Sequence, residues 1–147
     1  EPYEAVQGAD MVLLAVPLGA TREALAAMRD HLDPHVVVTD AGSVKGDAVR
    51  GYREALNAGR GYRYVPGHPI AGDERSGPVA ARKGLFEGAR VILTPVDASE
   101  TDISAVSSLW EGVGGINHGL IISGGQQLVK IIVDIGVFNA KNVVSFG

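Results

Sequence analysis

A chain of 147 residues, 46% apolar and 20% charged, with 20 Gly, 7 Pro and 5% aromatics, holds enough apolar material for one core of ordinary domain size. A formal charge of −4, with no basic stripe interleaved with aromatics, argues against nucleic acid as a partner. The lack of any run of 18 apolar residues argues against a membrane span, and the absence of Cys excludes a disulfide scaffold, a zinc–thiolate site and an iron–sulfur site. The opening Glu1-Pro2-Tyr3-Glu4 carries neither an initiator Met nor a signal peptide and reads as the interior of something longer.

The first predicted strand is Met11 to Val16, a continuous apolar run ended by Pro17 and Gly19, as expected of a strand buried on both faces of a parallel sheet. A helix follows from about Thr21 to Leu32, with Leu25, Met28 and Leu32 on one face and Pro34 just beyond. Val36 to Thr39 is the second strand. Asp40 to Lys45 reads as a turn, followed by a helix that carries Val49, Tyr52 and Leu56 and stops at Gly59. A short strand, Tyr62 to Val65, leads into a Pro66-Gly67-His68-Pro69 loop. Residues 71–88 read as loop with short helical turns, and Ala89 to Thr94 as a further strand. Ser99 with Asp102 three residues on resembles a capping box, and the helix behind it carries Ile103, Val106 and Trp110. Strand and helix in alternation imply an α/β fold with a mostly parallel sheet.

The composition changes near Gly114. Residues 1–114 hold nine Arg and three Ile, whereas residues 115–147 hold no Arg and six Ile. The strand-like Gly119 to Ser123 and the apolar Leu128 to Val137 do not extend the preceding alternation, so the chain divides into residues 1–113 and a tail, 114–147.

Ligands of doubly wound sheets bind beyond the carboxyl ends of the strands. Three segments sit at such ends: Val16 to Gly19, Asp40 to Lys45, and Gly67 to Pro69. His68 is the leading chemical candidate, because an imidazole accepts a proton near neutral pH. On position alone, the commoner role is a loop histidine bonded to a carbonyl. Ser43 reads as an N-cap that also has a hydroxyl to offer a substrate. Lys45 reads as a solvated side chain, and Glu74 as a surface carboxylate beside Arg75. His31 and His35 flank Pro34 at a helix end and read as surface residues. His118 receives no role, and no metal site is expected.

The block Val65-Pro66-Gly67-His68-Pro69-Ile70-Ala71-Gly72-Asp73-Glu74-Arg75-Ser76-Gly77 resembles the prephenate/arogenate dehydrogenase family of tyrosine biosynthesis. Thr39 to Lys45, with its Gly-Ser-Val-Lys, and Ala9 to Pro17 fit the same family, and the resemblance spans roughly residues 8 to 113. It implies a partial Rossmann-like doubly wound sheet, the second half of a nucleotide-binding domain. The family's helical C-terminal domain, which forms its homodimer and supplies an Arg to a substrate carboxylate, has no counterpart in residues 114–147.

The implied reaction is the oxidative decarboxylation of prephenate or arogenate with NAD or NADP, in the cytoplasm. Hydride leaves the ring carbon bearing the hydroxyl, and carbon dioxide is lost as the ring becomes aromatic. By resemblance, His68 accepts the hydroxyl proton. Ser43 bonds the same hydroxyl and lies by the nicotinamide, Glu74 shapes the polar end of the site, and Val16 and Pro17 lie against the cofactor. The family's Gly-x-Gly-x-x-Gly turn is not found in these residues, and that turn is the main anchor of a pyrophosphate. The 147 residues alone are therefore expected to bind NAD weakly, to lack turnover, and to self-associate along the apolar Met11–Val16 run if it forms a sheet edge. A non-catalytic binding module, and a dehydrogenase of the 3-hydroxyacid type, are the alternative readings.

Overall fold

The computed structural model describes residues 2–56, 63–72, 80–96, 98–122 and 128–132. In chain order the elements are α1 (Pro2–Ala5), β1 (Met11–Leu14), α2 (Thr21–Met28), β2 (Val37–Asp40), α3 (Lys45–Leu56), β3 (Arg63–Pro69), β4 (Arg90–Leu93), α4 (Glu100–Gly112), β5 (Ile116–Ile122) and β6 (Leu128–Ile132). The six strands form one sheet in the order β1-β2-β3-β4-β5-β6. β1, β2 and β3 are parallel, β4 runs antiparallel to β3, β5 is parallel to β4, and β6 is antiparallel to β5. Among the described residues β1 is the outer strand on its side of the sheet.

Because neighbouring residues of a strand face opposite sides of a sheet, this sheet supports two separate cores. Val12, Leu14, Val38 and Tyr64 join Leu25 and Met28 of α2 and Tyr52 and Leu56 of α3. Val37, Val65, Val91 and Leu93 face the other way, onto Val106 and Trp110 of α4. On the first face the rings of Tyr52 and Tyr64 stack with centroids 4.2 Å apart.

The predicted α/β alternation holds, with shifted boundaries. The first helix ends at Met28 rather than Leu32: a 3-10 turn, Arg29–His31, follows, and Leu32 is already extended ahead of Asp33-Pro34. β1 stops at Leu14, two residues short of Val16, because the amide after β2, that of Ala41, bonds to the Leu14 carbonyl and closes the pairing there. β2 runs Val37–Asp40 rather than Val36–Thr39, since the Val36 amide turns back to the Asp33 carbonyl. The segment read as a Pro66–Pro69 loop is the second half of β3, held by the antiparallel pairing of Gly67, His68 and Pro69 with Leu93, Ile92 and Val91. Tyr62 and the expected stop at Gly59 lie outside the described residues.

Ser99 caps α4 as expected. Its hydroxyl accepts the Asp102 amide at 3.2 Å, and the Asp102 carboxylate accepts the Ser99 amide at 2.9 Å. Asp102 also pairs with Arg63 of β3 at 3.3 Å, which ties the start of the helix to the sheet. His31 and His35 are exposed, as read. β5 and β6 extend the sheet beyond Gly114. Asn117 of β5 donates to the Ser107 carbonyl and to Glu111 Oε1 of α4, each at 3.0 Å. No helix among the described residues is long and apolar enough to cross a membrane.

Candidate functional site

Leu14, Asp40 and Pro66 stand in one row across β1, β2 and β3. The chain therefore leaves β1 and β2 at the carboxyl end of this part of the sheet, where such folds hold their ligands, and β3 continues past them to Pro69. Beyond β1 come Val16, half-buried, and Pro17, exposed, whose carbonyl accepts the Ala20 amide at 2.8 Å and opens a 3-10 turn. Beyond β2 come Ala41 and Gly42, then Ser43 and Val44, both exposed, before α3 starts at Lys45. That start puts the N-cap position at Val44, so Ser43 stands one residue ahead of it on the turn. Beyond Pro66, β3 carries Gly67 and the half-buried His68. Two aliphatic side chains flank these groups in sequence and stand exposed, Val44 and Ile70. Glu74 lies outside the described residues.

Asp40, read in sequence as part of a turn, ends β2 and is buried at 4% exposure. Its Oδ1 accepts the Tyr64 hydroxyl at 3.0 Å and the Gly67 amide at 3.2 Å. Its Oδ2 accepts the Gly42 amide at 3.0 Å and the Lys45 ammonium. Lys45, expected to be solvated, is instead turned inward. It is ion-paired to Asp40 and donates to the Gly67 carbonyl at 2.6 Å. The physical reason is the cost of a buried carboxylate, which is tolerated only with a charge partner and a full set of donors. The sequence signal was an Asp at a strand end with Gly two residues on, the spacing at which an Asp side chain bonds a backbone amide.

This cluster sets the protonation of the groups around it. Burial pulls the Lys45 ammonium down from its ordinary value, opposed by Asp40. Burial, with Asp40 adding to it, pushes the Tyr64 phenol up, so it stays protonated and donating. His68 is held below the ordinary imidazole value of 6.5, first by burial and then by the Lys45 ammonium, with Asp40 opposing. A half-buried imidazole that is neutral at pH 7 can accept a proton. In Lys45→Met the second cause disappears and the first stays. The His68 titration, followed by NMR, should rise toward 6.5 without reaching it; an unmoved midpoint would show that the ammonium does not act on the ring.

The sheet leaves no room at Gly67. A Cβ there would lie 2.7 Å from the Asp40 backbone oxygen and 3.0 Å from Trp110 Nε1. Gly67→Ala should therefore cost about 1–3 kcal/mol, the usual size of overpacking, read as a lower urea midpoint.

Comparison with known proteins gives these residues a context. The family described as prephenate dehydrogenase, nucleotide-binding domain, matches residues 1–117. The chain is 38% identical over 113 residues to a cyclohexadienyl dehydrogenase of Zymomonas mobilis, covering 76% of this chain and 38% of that one. A crystal structure of Aquifex aeolicus prephenate dehydrogenase, in complex with hydroxyphenyl propionate and NAD+, superposes with a TM-score of 0.66 at 37% identity, over 76% of this chain and 38% of the other. Synechocystis arogenate dehydrogenase superposes at 0.70 with 27% identity, over 81% and 41%. The chain thus spans about two fifths of the length of these proteins. With most of its length matched by that one family, and with this end of the sheet built from the same segments that match, the chain belongs to the prephenate dehydrogenase family and carries sequence of its nucleotide-binding domain.

Proposed function

We propose that residues 1–113 form the nicotinamide-side part of a cytoplasmic dehydrogenase that oxidatively decarboxylates prephenate or arogenate with NAD or NADP, the full-length protein acting as a homodimer. The observation that carries this reading is the row Leu14, Asp40 and Pro66 across β1, β2 and β3, beyond which lie the Val16-Pro17 turn, the Ser43 turn and the stretch of β3 that carries His68. The chemistry of that set fits one end of the cofactor. Val16 and Pro17 offer apolar surface to a nicotinamide ring, and Ser43 offers an exposed hydroxyl. The pyrophosphate end requires a glycine-rich turn at a helix start, which these residues do not provide.

A nicotinamide cofactor held beside Val16, Pro17 and Ser43 would supply the hydride acceptor. His68, neutral at pH 7, takes the proton of the substrate hydroxyl as hydride leaves the same carbon, so the carbon–oxygen single bond becomes a carbonyl. Ser43 donates to that oxygen and orients it. Loss of carbon dioxide then returns an electron pair to the ring, which becomes aromatic as its oxygen regains a proton. Glu74 serves the polar end of the substrate.

The test is a chimera in which residues 2–113 replace the matching segment of the Aquifex aeolicus enzyme. Prephenate- or arogenate-dependent reduction of NAD or NADP, followed by absorbance, is the expected result. A folded chimera that binds cofactor yet turns over neither substrate would sink the reading and leave a binding module.

A further inference from the structure

The Asp40 carboxylate has no chemical step in the proposed reaction, yet among the described residues of the site it is the most heavily bonded side chain. Four donors reach it: Tyr64 Oη and the Gly67 amide on Oδ1, and the Gly42 amide and Lys45 Nζ on Oδ2. The two amides stand in telling places. Gly42 immediately precedes Ser43, and Gly67 immediately precedes His68. Each oxygen of one rigid, planar group thus fixes the peptide next to one of the two candidate side chains. Lys45 closes the ring, because it also donates to the Gly67 carbonyl at 2.6 Å. Gly67 is then held at both its N–H and its C=O.

Both glycines lie close against Asp40, Gly42 against its carboxylate and Gly67 against its backbone oxygen. A Cβ on Gly42 would lie 3.0 Å from Asp40 Oδ2, and a Cβ on Gly67 would lie 2.7 Å from the Asp40 backbone oxygen. The close approach is therefore built from three positions on two segments and does not follow from the acidic residue alone. Charge-assisted bonds to a buried carboxylate are stronger than neutral ones, which suits them to hold a spacing.

We propose that Asp40 is a positioning residue whose carboxylate clamps the Ser43 turn to the His68 strand, so that the two groups keep one spacing and open together. Its bearing on catalysis rests on the dehydrogenase reading; the clamp itself does not.

Amide hydrogen exchange by NMR on the 147-residue chain tests it. In Asp40→Asn the amide nitrogen that replaces Oδ2 cannot receive Gly42 and Lys45, and with the charge gone the bond that Oδ1 accepts from Gly67 drops to a weaker neutral one. Gly42 and Gly67 should both lose protection at least tenfold, while Val12 and Val38 in the same sheet keep theirs. The His68 imidazole should titrate lower still, with Lys45 left unneutralised beside it, while exposed His35 is unmoved. Tyr64→Phe, which leaves the carboxylate and its amides in place, should keep both glycines protected. Release of only one glycine, or retention of both, would overturn the clamp, as would an unchanged His68 titration.

Should Asp40→Asn fail to fold, Lys45→Met decides. Both amides staying protected fits the carboxylate as the clamp, and their loss would assign the hold to Lys45 and overturn the proposal. A chimera without turnover would defeat the dehydrogenase reading and leave these exchange results as they are.

Discussion

His68→Asn, made in the chimera that tests the activity, is expected to lower turnover by about 10²–10⁴, the size of a general-base contribution, with a smaller effect on substrate binding. The asparagine can still bond the hydroxyl but cannot take its proton. Near-normal turnover in this variant would remove His68 from the proton path. The pH dependence carries the same signature. Burial and the Lys45 ammonium keep the folded imidazole below its ordinary 6.5, so the ring is neutral throughout the neutral range. Turnover should fall on the acid side only as pH drops through the lowered folded value. Stability depends on pH through the same imidazole. Between the folded value and 6.5 the unfolded chain binds more protons than the native one, so stability rises with pH across that window. The contribution is fully present above 6.5 and declines as pH falls below it. His68→Asn should flatten both curves there.

The elements were legible in the sequence where periodicity and caps speak. The apolar run at Met11, the i, i+3 spacing of Leu25 and Met28, and the Ser99–Asp102 box each announce an element that forms. Pairing was less legible. Nothing in the Pro66-Gly67-His68-Pro69 segment reveals that it is strand, because its two prolines and one glycine are turn residues by local preference. The antiparallel partner β4, more than twenty residues on, overrides that preference. β5, parallel to β4 behind α4, does continue the alternation that its sequence did not announce, and β6 leaves no strand–helix signature because it pairs antiparallel to β5. At the site, Val16, Pro17, Ser43 and His68 were readable one by one, and their place beyond one row of the sheet followed from topology, whereas Glu74 lies outside the described residues. Asp40 and Lys45 were not. A polar side chain in a turn is usually solvated, and only the burial of β2 between two layers makes this carboxylate recruit four donors.

The support beneath that row is Trp110, and its removal should have the largest effect on stability of any single change considered. The side chain is 1% exposed and meets Phe86 edge to face at 5.3 Å. It packs in the cluster of Val37, Val65, Val91, Leu93 and Val106, so it joins α4 to three strands. It also abuts the backbone at Gly67, one residue from His68. Trp110→Ala would leave a cavity where the indole fits, at a cost of about 3–5 kcal/mol. That is a large share of the roughly 5–15 kcal/mol that holds a domain folded. Trp110→Phe should cost less. The indole Nε1 is buried without a hydrogen-bond partner among the described residues, so its loss removes no bond, and a phenyl ring refills part of the space. Urea unfolding followed by far-ultraviolet circular dichroism separates the two variants, since the only tryptophan is gone in both. An alanine variant within about 1 kcal/mol of the parent, against the cost expected of such a truncation, would mean that the second core does not brace β3. The His68 titration gives an independent reading of the same coupling. Burial is the leading cause of its lowered value, so loosening the layer beneath Gly67 should let the imidazole move back toward 6.5 in Trp110→Ala.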